Sequence, residues 1–365
     1  MPLMSALHTI GLELAWASPH PSYARARSMN IALTEPNEAL RFFGRSACAC
    51  LVRAPARNIA RSLSQQIAEF SMFSGSLVAI VTPMRPDGRV DFEAWARLVD
   101  FHLQNGTTGI VVGGSTGESA TLRDSELREL TERACEQARR RIPIIVGAGT
   151  SSTASTVERV GWLSDLSVDG LLIVTPAYNR PTQEGLYLHF AAAAEAARKP
   201  IILYNVPSRT AVDMLPPTVG RLSQLPGIVA VKESVTEPGR MRALVDACRK
   251  DFAVLTGDDA TARHAFQEGA RGVISVTANV APRAMADMVA AAMRGDYATA
   301  EKLDAPLAAL HRDLFIEANP IPAKWALARM GVMGEGIRLP LTPLSAPSQP
   351  PVLAALRAAG ILPAS

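Results

Sequence analysis

A single lysine ends an apolar run that is rich in valine and isoleucine. The run reads "GIVAVKES", and its lysine is Lys232. An ammonium at the end of a buried strand is costly unless it is paired or deprotonated, and desolvation favours the neutral amine, which attacks carbonyl carbons. Lys232 is therefore a candidate Schiff-base nucleophile. The alternative is a lysine at a strand terminus whose ammonium reaches solvent.

Hydroxyl side chains end several other apolar runs. Tyr178 and Tyr204 follow two of them, and Ser115 and Thr116 follow a third, in "GGSTGE". Schiff-base chemistry moves protons on and off its intermediates, and a chain of hydroxyls does so without a second charge beside the imine. A tyrosine at a strand end is ordinarily a packing residue with a wetted hydroxyl. Beside Lys232, however, these residues predict a relay formed by Ser115, Tyr204 and Tyr178.

Two further features suit the carboxylate groups of a substrate. Exposed backbone N–H groups around Ser115 and Thr116 form one candidate site. Arg209, in "YNVPSRT", brings a planar guanidinium that suits a second carboxylate, although a solvated loop arginine is the ordinary alternative. Asp258 and Asp259, in "TGDDA", are candidate ligands, but the six histidines are scattered along the sequence, so we expect no metal site.

Eight short apolar runs alternate with longer amphipathic segments from Leu77 onward, which is the pattern of repeated βα units. The predicted strands are SLVAIVT, GIVVGG, IPIIVGA, GLLIVTP, PIILYN, IVAVKE, FAVLTG and GVISVT. Eight units favour one closed (β/α)8 TIM barrel, in which the loops at the carboxyl ends of the strands converge on one mouth. An open doubly wound sheet is the alternative, but the first strand-to-helix turn lacks a Gly-x-Gly-x-x-Gly.

The chain divides into three predicted parts. Residues 1–71 contain no lysine and little periodicity, and we interpret them as a disordered extension or as sequence upstream of a true start at Met72. An organellar transit peptide is the alternative interpretation. Residues 72–294 are predicted to form the barrel. Residues 295–365 are predicted to be a mostly helical C-terminal appendage, in which "IPAKWALARMG" is the clearest helix.

Composition argues against several classes of partner. The chain has 37 basic and 34 acidic residues, and residues 1–71 hold 7 and 4 of them, which leaves 30 of each sign. The basic isoelectric point is therefore no sign of nucleic-acid binding. No apolar run approaches the roughly 18 residues of a membrane span. Four cysteines without a Cys-x-x-Cys pair are typical of reduced thiols in a cytoplasmic protein.

From about Phe73 to Leu362 the chain resembles the pyruvate-dependent class I aldolases of the dihydrodipicolinate synthase and N-acetylneuraminate lyase superfamily. The resemblance rests on "GSTGE", "YNVPSRT" and "VKES", which occur in the order and spacing of the family. It implies that Lys232 forms an imine with pyruvate and that no cofactor is needed. It assigns the proton relay to Ser115, Tyr204 and Tyr178, and substrate binding to Thr116, Arg209, Gly257 and Ile274.

The resemblance also implies an assembly. In the family, the counterpart of Tyr178 reaches into the site of the neighbouring subunit. The chain is therefore expected to form a tight homodimer, usually paired into a tetramer. We expect neither nucleic acid nor membrane as a partner.

The two branches of the superfamily are separated by residues that recognise the second substrate. The "GGSTGE" loop is similar to that of the lyase branch, because synthases usually carry two threonines where this chain has Ser115 and Thr116. Arg209 favours the synthase branch, in which this arginine binds the carboxylate of aspartate semialdehyde, and Ala260 stands where the lyases carry a glutamate. The expected reaction is the condensation of pyruvate with aspartate semialdehyde towards diaminopimelate and lysine. Another pyruvate lyase, or a non-catalytic ligand-binding paralogue, is the alternative.

Some members of the family are inhibited by lysine in a cleft between subunits. Positions matched by spacing carry Ser151, Ser155, Asp124, Leu127 and Ala177 here, where sensitive members supply an asparagine, a glutamate, histidines and a tyrosine. Loss of one charged contact weakens binding by roughly ten-fold. Asp124 is a partial substitute for the missing charge, and we expect little inhibition at millimolar lysine.

Overall fold

The computed structural model describes residues 72–363. Residues 1–71, on which the predicted extension falls, lie outside the described residues, as do residues 364 and 365. The first described residues lead directly into the first strand, in which all five residues are buried.

Eight parallel strands form a closed barrel in chain order. Their bounds are β1 Gly75–Ala79, β2 Gly109–Val112, β3 Ile144–Gly147, β4 Gly170–Val174, β5 Ile201–Asn205, β6 Ile228–Glu233, β7 Ala253–Thr256 and β8 Gly272–Ser275. Each strand pairs with the next, and β8 pairs with β1. Every strand overlaps a predicted run, so the TIM-barrel prediction is confirmed and the open sheet is excluded.

Strand alternation divides the apolar side chains between two cores. The barrel interior holds Leu77, Ala79, Val111, Ile145, Leu172, Ile202, Leu255 and Ile274, together with Phe73. The alternate strand residues, such as Val78 and Ile80, pack outward against the helices. A Cβ atom on Gly170 would lie 2.7 Å from the Phe73 ring, which shows how closely the interior is filled.

Helices follow the strands and cover the barrel. Their bounds are α1 Phe92–Gln104, α2 Asp124–Ala138, α3 Thr153–Leu163, α4 Gln183–Ala196, α5 Pro207–Thr210, α6 Pro216–Ser223, α7 Arg240–Ala247, α8 Ala262–Gln267 and α9 Pro282–Met293. The first helix begins at its predicted N-cap, because the Asp91 side chain accepts a hydrogen bond from Ala94 N at 3.0 Å. It ends at Gln104 with Asn105 as its C-cap, before Gly106 at φ +80°.

The C-terminal region is helical, as predicted. It contains α10 Tyr297–Asp304, α11 Ala308–Asp313, α12 Ile321–Arg329 and α13 Gln349–Ala358. Helix α12 corresponds to the "IPAKWALARMG" segment, and its first seven residues are all buried. No helix in residues 72–363 is both long enough and apolar enough to cross a membrane.

Candidate active site

The carboxyl ends of β5 and β6 bring Tyr204 and Lys232 together. The two residues are direct partners in the parallel register, and both belong to the inner face of the barrel. Lys232 Nζ lies 4.4 Å from the centroid of the Tyr204 ring. Both side chains are buried, and among residues 72–363 no carboxylate lies within ion-pair distance of Lys232. The arrangement is a buried amine beside an aromatic ring, an environment that suits a Schiff-base nucleophile.

Gly257 provides the space that Lys232 occupies. A Cβ atom at this position would lie 2.7 Å from Lys232 Cε and 2.3 Å from Ser234 Oγ. The Gly257 backbone N–H donates to Glu233 O at 2.6 Å, which ties the end of β7 to β6. Ile274, another of the residues predicted to bind substrate, is fully buried inside the barrel on β8. A side chain at Gly257 would therefore displace the lysine.

The loop after β2 carries the two predicted hydroxyl residues. Thr116 is buried, whereas Ser115 is half-buried and its hydroxyl makes no hydrogen bond with another described residue. Ser115 and Tyr204 line the same small cavity, of about 30 Å³. The loop is held from beneath, because the Thr82 hydroxyl donates to Gly117 O at 2.7 Å. The structure therefore brings two of the three predicted relay residues, Ser115 and Tyr204, to the same cavity.

Tyr178 does not join this group within the chain. Its side chain is 92% exposed, and among the described residues it has no hydrogen bond to Tyr204 or Ser115. Its backbone has φ +72°, a strained conformation for a residue that is not glycine. A relay of three hydroxyls from a single chain is therefore not formed. The arrangement implied by the family resemblance, in which Tyr178 serves a neighbouring subunit, stays a prediction.

Glu118 anchors the loop to the C-terminal region. It is buried at φ +58° and forms an ion pair with Lys324 of α12. Its other oxygen accepts a hydrogen bond from Arg338 N at 3.3 Å. Burial lowers the pKa of Lys324, and the Glu118 carboxylate opposes this effect. Local sequence patterns do not specify these partners, because they lie 206 and 220 residues from Glu118 along the chain.

Asn319 is a second residue that the sequence reasoning missed. Its side-chain amide donates to Thr116 Oγ1 at 2.9 Å, and its backbone carbonyl accepts from Arg209 Nη2 at 2.9 Å. Asn319 is buried, and its Oδ1 atom has no partner among the described residues. It joins the loop that carries Thr116 to the exposed Arg209. The C-terminal region therefore forms part of the mouth and is more than an appendage to it.

Four polar side chains lie on the opposite side of β5 and β6 from the lysine. We call Asn205, Asp213, Glu233 and Arg240 the outer network. Asn205 and Glu233 are register partners that directly follow Tyr204 and Lys232, so strand alternation directs them outward. Asn205 Nδ2 lies 3.1 Å from both Glu233 oxygens and 2.7 Å from Asp213 Oδ1. Burial raises the pKa of Glu233, and the neighbouring Arg240 guanidinium opposes the rise.

The paired aspartates after β7 have structural partners. Asp259 is buried and accepts hydrogen bonds from Val276 N and Thr277 N at 2.9 and 2.8 Å. Asp258 accepts one from Thr261 N at 2.9 Å. Within residues 72–363, no group of three or more His, Cys, Asp or Glu side chains is arranged to hold a metal ion.

Among the positions matched to the lysine-binding cleft, Asp124 has the one charged side chain. Asp124 Oδ1 lies 2.6 Å from Arg159 Nη2, so its carboxylate is already paired. Asn179 Nδ2 donates to the backbone carbonyl of Ser151 at 2.8 Å, and this bond uses no Ser151 side-chain atom. These contacts leave Asp124 a weak substitute for an unpaired glutamate.

A closed (β/α)8 barrel with a buried lysine at the end of its sixth strand has the architecture of a class I, Schiff-base aldolase. The chain belongs to the dihydrodipicolinate synthetase family, whose model matches residues 72–359. Among curated relatives, the 4-hydroxy-tetrahydrodipicolinate synthase of Methylococcus capsulatus is 53% identical over 291 residues, which are 80% of this chain and 100% of the relative. The 4-hydroxy-tetrahydrodipicolinate synthase of Pseudomonas aeruginosa is 52% identical over 291 residues, again 80% of this chain and 100% of the relative.

Solved structures give the same result. The chloride-inhibited dihydrodipicolinate synthase of Acinetobacter baumannii, complexed with pyruvate, is 48% identical, with a TM-score of 0.78 over 79% of this chain and 99% of that one. The enzyme of Cyanidioschyzon merolae with lysine bound is 36% identical, with a TM-score of 0.77 over 80% and 99% of the two chains.

Proposed function

We propose that this protein catalyses the condensation of pyruvate with L-aspartate 4-semialdehyde, the reaction of a 4-hydroxy-tetrahydrodipicolinate synthase. The observation that carries the proposal is the buried Lys232 amine, 4.4 Å from the Tyr204 ring at the mouth of the barrel. Identities of 53% and 52% to curated synthases, over the full length of those relatives, support the same reaction.

The first half of the reaction takes place at Lys232. Its neutral amine attacks the ketone carbon of pyruvate, and loss of water gives the imine. A proton then leaves the methyl carbon, and its electron pair forms the enamine. We assign these proton transfers to Tyr204 and Ser115, and their lining of one cavity supports the assignment. Thr116 and the backbone around it are assigned to the pyruvate carboxylate.

The second half joins the two substrates. The enamine carbon attacks the aldehyde carbon of aspartate semialdehyde, and the aldehyde oxygen takes up a proton. The substrate amine then attacks the imine carbon, which closes the ring and releases the Lys232 amine. Arg209 is assigned to the carboxylate of the second substrate. No step requires a redox cofactor or a metal ion.

We also propose a homodimer or homotetramer in the cytoplasm. The family resemblance carries this proposal, and the Tyr178 side chain, 92% exposed on a backbone strained at φ +72°, is accessible to a neighbouring subunit. In that assembly, Tyr178 would complete the proton relay of the neighbouring site.

Substrate pairing tests the proposal. The purified protein is given pyruvate with either aspartate semialdehyde or N-acetylmannosamine, and the products are identified by mass spectrometry. We expect a cyclic product from aspartate semialdehyde, and none when Lys232→Gln replaces the native protein. Product from N-acetylmannosamine alone would assign the chain to the lyase branch, which the "GGSTGE" loop resembles. Product from neither aldehyde would contradict the proposed reaction.

A further inference from the structure

The outer network lies directly behind the catalytic strand ends. Asn205 and Glu233 are fully buried, and the Arg240 side chain is 10% exposed. Burying this many polar groups is costly unless each is satisfied. None of these side chains enters the barrel interior, so the proposed reaction gives them no direct role. Their arrangement therefore requires a separate explanation.

Arg240 is the centre of the outer network. Its Nη1 and Nη2 atoms lie 3.1 and 2.6 Å from the two oxygens of Asp213, a bidentate pair. Its Nε atom donates to Glu233 Oε2 at 3.0 Å, and Nη2 also donates to Met214 O at 3.0 Å. One guanidinium at the start of α7 therefore links the end of β6 to the segment that follows α5.

Arg209 lies on α5, just before that segment. Asn205 precedes Arg209 by four residues and Asp213 follows it by four, and the two side chains are joined at 2.7 Å. Asn205 Oδ1 also accepts a hydrogen bond from Met214 N at 2.9 Å. The outer network thus closes the base of the loop formed by residues 206–212.

The backbone conformation of this loop requires support from its surroundings. Ala211 ends α5 in the left-handed region, at φ +58°, and a residue other than glycine keeps this conformation only where its surroundings impose it. The Arg209 side chain itself has one hydrogen bond in the described structure, from Nη2 to Asn319 O at 2.9 Å. The direction of the guanidinium therefore depends largely on the backbone of the loop.

We propose that Arg240 is a positioning residue for the second substrate: by holding Asp213 and Glu233 together, it fixes the loop that presents Arg209 to a substrate carboxylate. The inference rests on the proposed function, because Arg209 acts there on aspartate semialdehyde. The network touches Lys232 only through the backbone of β6, whose position the barrel ladder already determines. Loss of the network should therefore affect recognition of the aldehyde more than imine formation with pyruvate.

Two variants test this role without leaving Glu233 as an unpaired buried charge. Asp213→Asn keeps the contact between Arg240 and Glu233, and Arg240→Lys keeps a cation beside Glu233 but loses the bidentate bridge. The matched control is Arg249→Lys at the opposite end of β6. Arg249 Nε lies 2.8 Å from Asp251 Oδ1, and Nη2 donates to Ile228 O at 2.9 Å, so this variant loses a comparable contact far from Arg209.

The measurements are KM and kcat for aspartate semialdehyde, and the yield of the pyruvate adduct trapped on the lysine by borohydride. We expect both network variants to raise the KM for the aldehyde by about ten-fold, with adduct yields within about two-fold of the native protein. We expect Arg249→Lys to match the native protein in both. An unchanged KM, an equal loss of both steps, or an equal rise in the control would overturn the inference. Native protein that does not turn over aspartate semialdehyde would instead overturn the proposed function.

Discussion

At the scale of single residues, the environment of Lys232 distinguishes it from the chain's other lysines. Lys324 is also buried, but it is paired with Glu118, whereas Lys232 faces the Tyr204 ring and no carboxylate within the described residues. The Lys324 nitrogen is engaged in this ion pair and is not available to attack a carbonyl carbon. The absent side chain of Gly257 then gives the unpaired amine its space. Two buried lysines thus have different chemistry for physical reasons.

The prediction at this scale concerns Arg209. Arg209→Ala removes a charge-assisted contact to the carboxylate of the second substrate, which contributes on the order of 1.5 to 3 kcal/mol. We therefore expect kcat/KM for aspartate semialdehyde to fall by at least about ten-fold while imine formation with pyruvate is retained. Steady-state kinetics and borohydride trapping measure the two steps separately. Equal damage to both would show that Arg209 acts on folding or on the lysine instead.

At the scale of elements, the sequence predicted the strands and the residues at their ends, because both follow from local patterns. Each strand was visible as a short apolar run, and Lys232 and Tyr204 could be assigned to strand ends because register follows from the barrel itself. Asn319 and Lys324 could not be assigned in this way. Asn319 is 110 residues from Arg209, and Lys324 is 206 residues from Glu118. Contacts at that separation depend on how the C-terminal helices pack, which local patterns do not specify; a lysine among the apolar residues of α12 was the only signal.

One element carries a buried titratable group whose effect on stability can be predicted. His102 on α1 is fully buried, with Nδ1 3.0 Å from Thr107 Oγ1 and Nε2 without a partner in the described structure. Burial lowers the pKa of His102 to about 3. Because an unfolded histidine takes up its proton near pH 6.5, the unfolded state binds more protons below that pH, and stability falls as the pH drops towards 3.

The prediction is that His102→Asn flattens this dependence. The asparagine can still reach Thr107 but does not titrate. Between pH 6.5 and 4.5, the native protein should lose up to about 1.4 kcal/mol per pH unit relative to the variant. Urea unfolding at several pH values measures the difference. Burial lowers the pKa of His311, but the hydrogen bond to Asp304 and the nearby carboxylates raise it overall. His311 is present in both proteins, so its contribution cancels. Parallel pH profiles would rule out His102 as the cause.

At the scale of the whole molecule, residues 72–363 contain the complete barrel and the residues assigned to one site, except for the contribution expected from a neighbouring Tyr178. The family model matches residues 72–359, and the match to the relative from Methylococcus capsulatus spans 80% of this chain but all of that protein. The proposed domain boundaries near residues 71 and 294 stay predictions. The contacts of Asn319 and Lys324 with the mouth indicate that residues 295–365 belong functionally with the barrel.

The prediction at this scale is that a chain beginning at Met72 folds and is fully active. Phe73 already packs inside the barrel, and β1 begins two residues later, at Gly75. The shortened and full-length proteins should agree in thermal midpoint and in kcat/KM. A large loss of either on shortening would show that residues 1–71 stabilise the barrel.

The central claim is that Lys232 forms a covalent imine with pyruvate, and borohydride reduction tests it most directly. The protein is incubated with pyruvate and borohydride, digested, and analysed by peptide mass. The account predicts a reduced three-carbon adduct on the peptide that contains Lys232, none on the peptide that contains the paired Lys324, and none anywhere in Lys232→Arg. An adduct on another lysine, or no adduct in the native protein, would contradict the account.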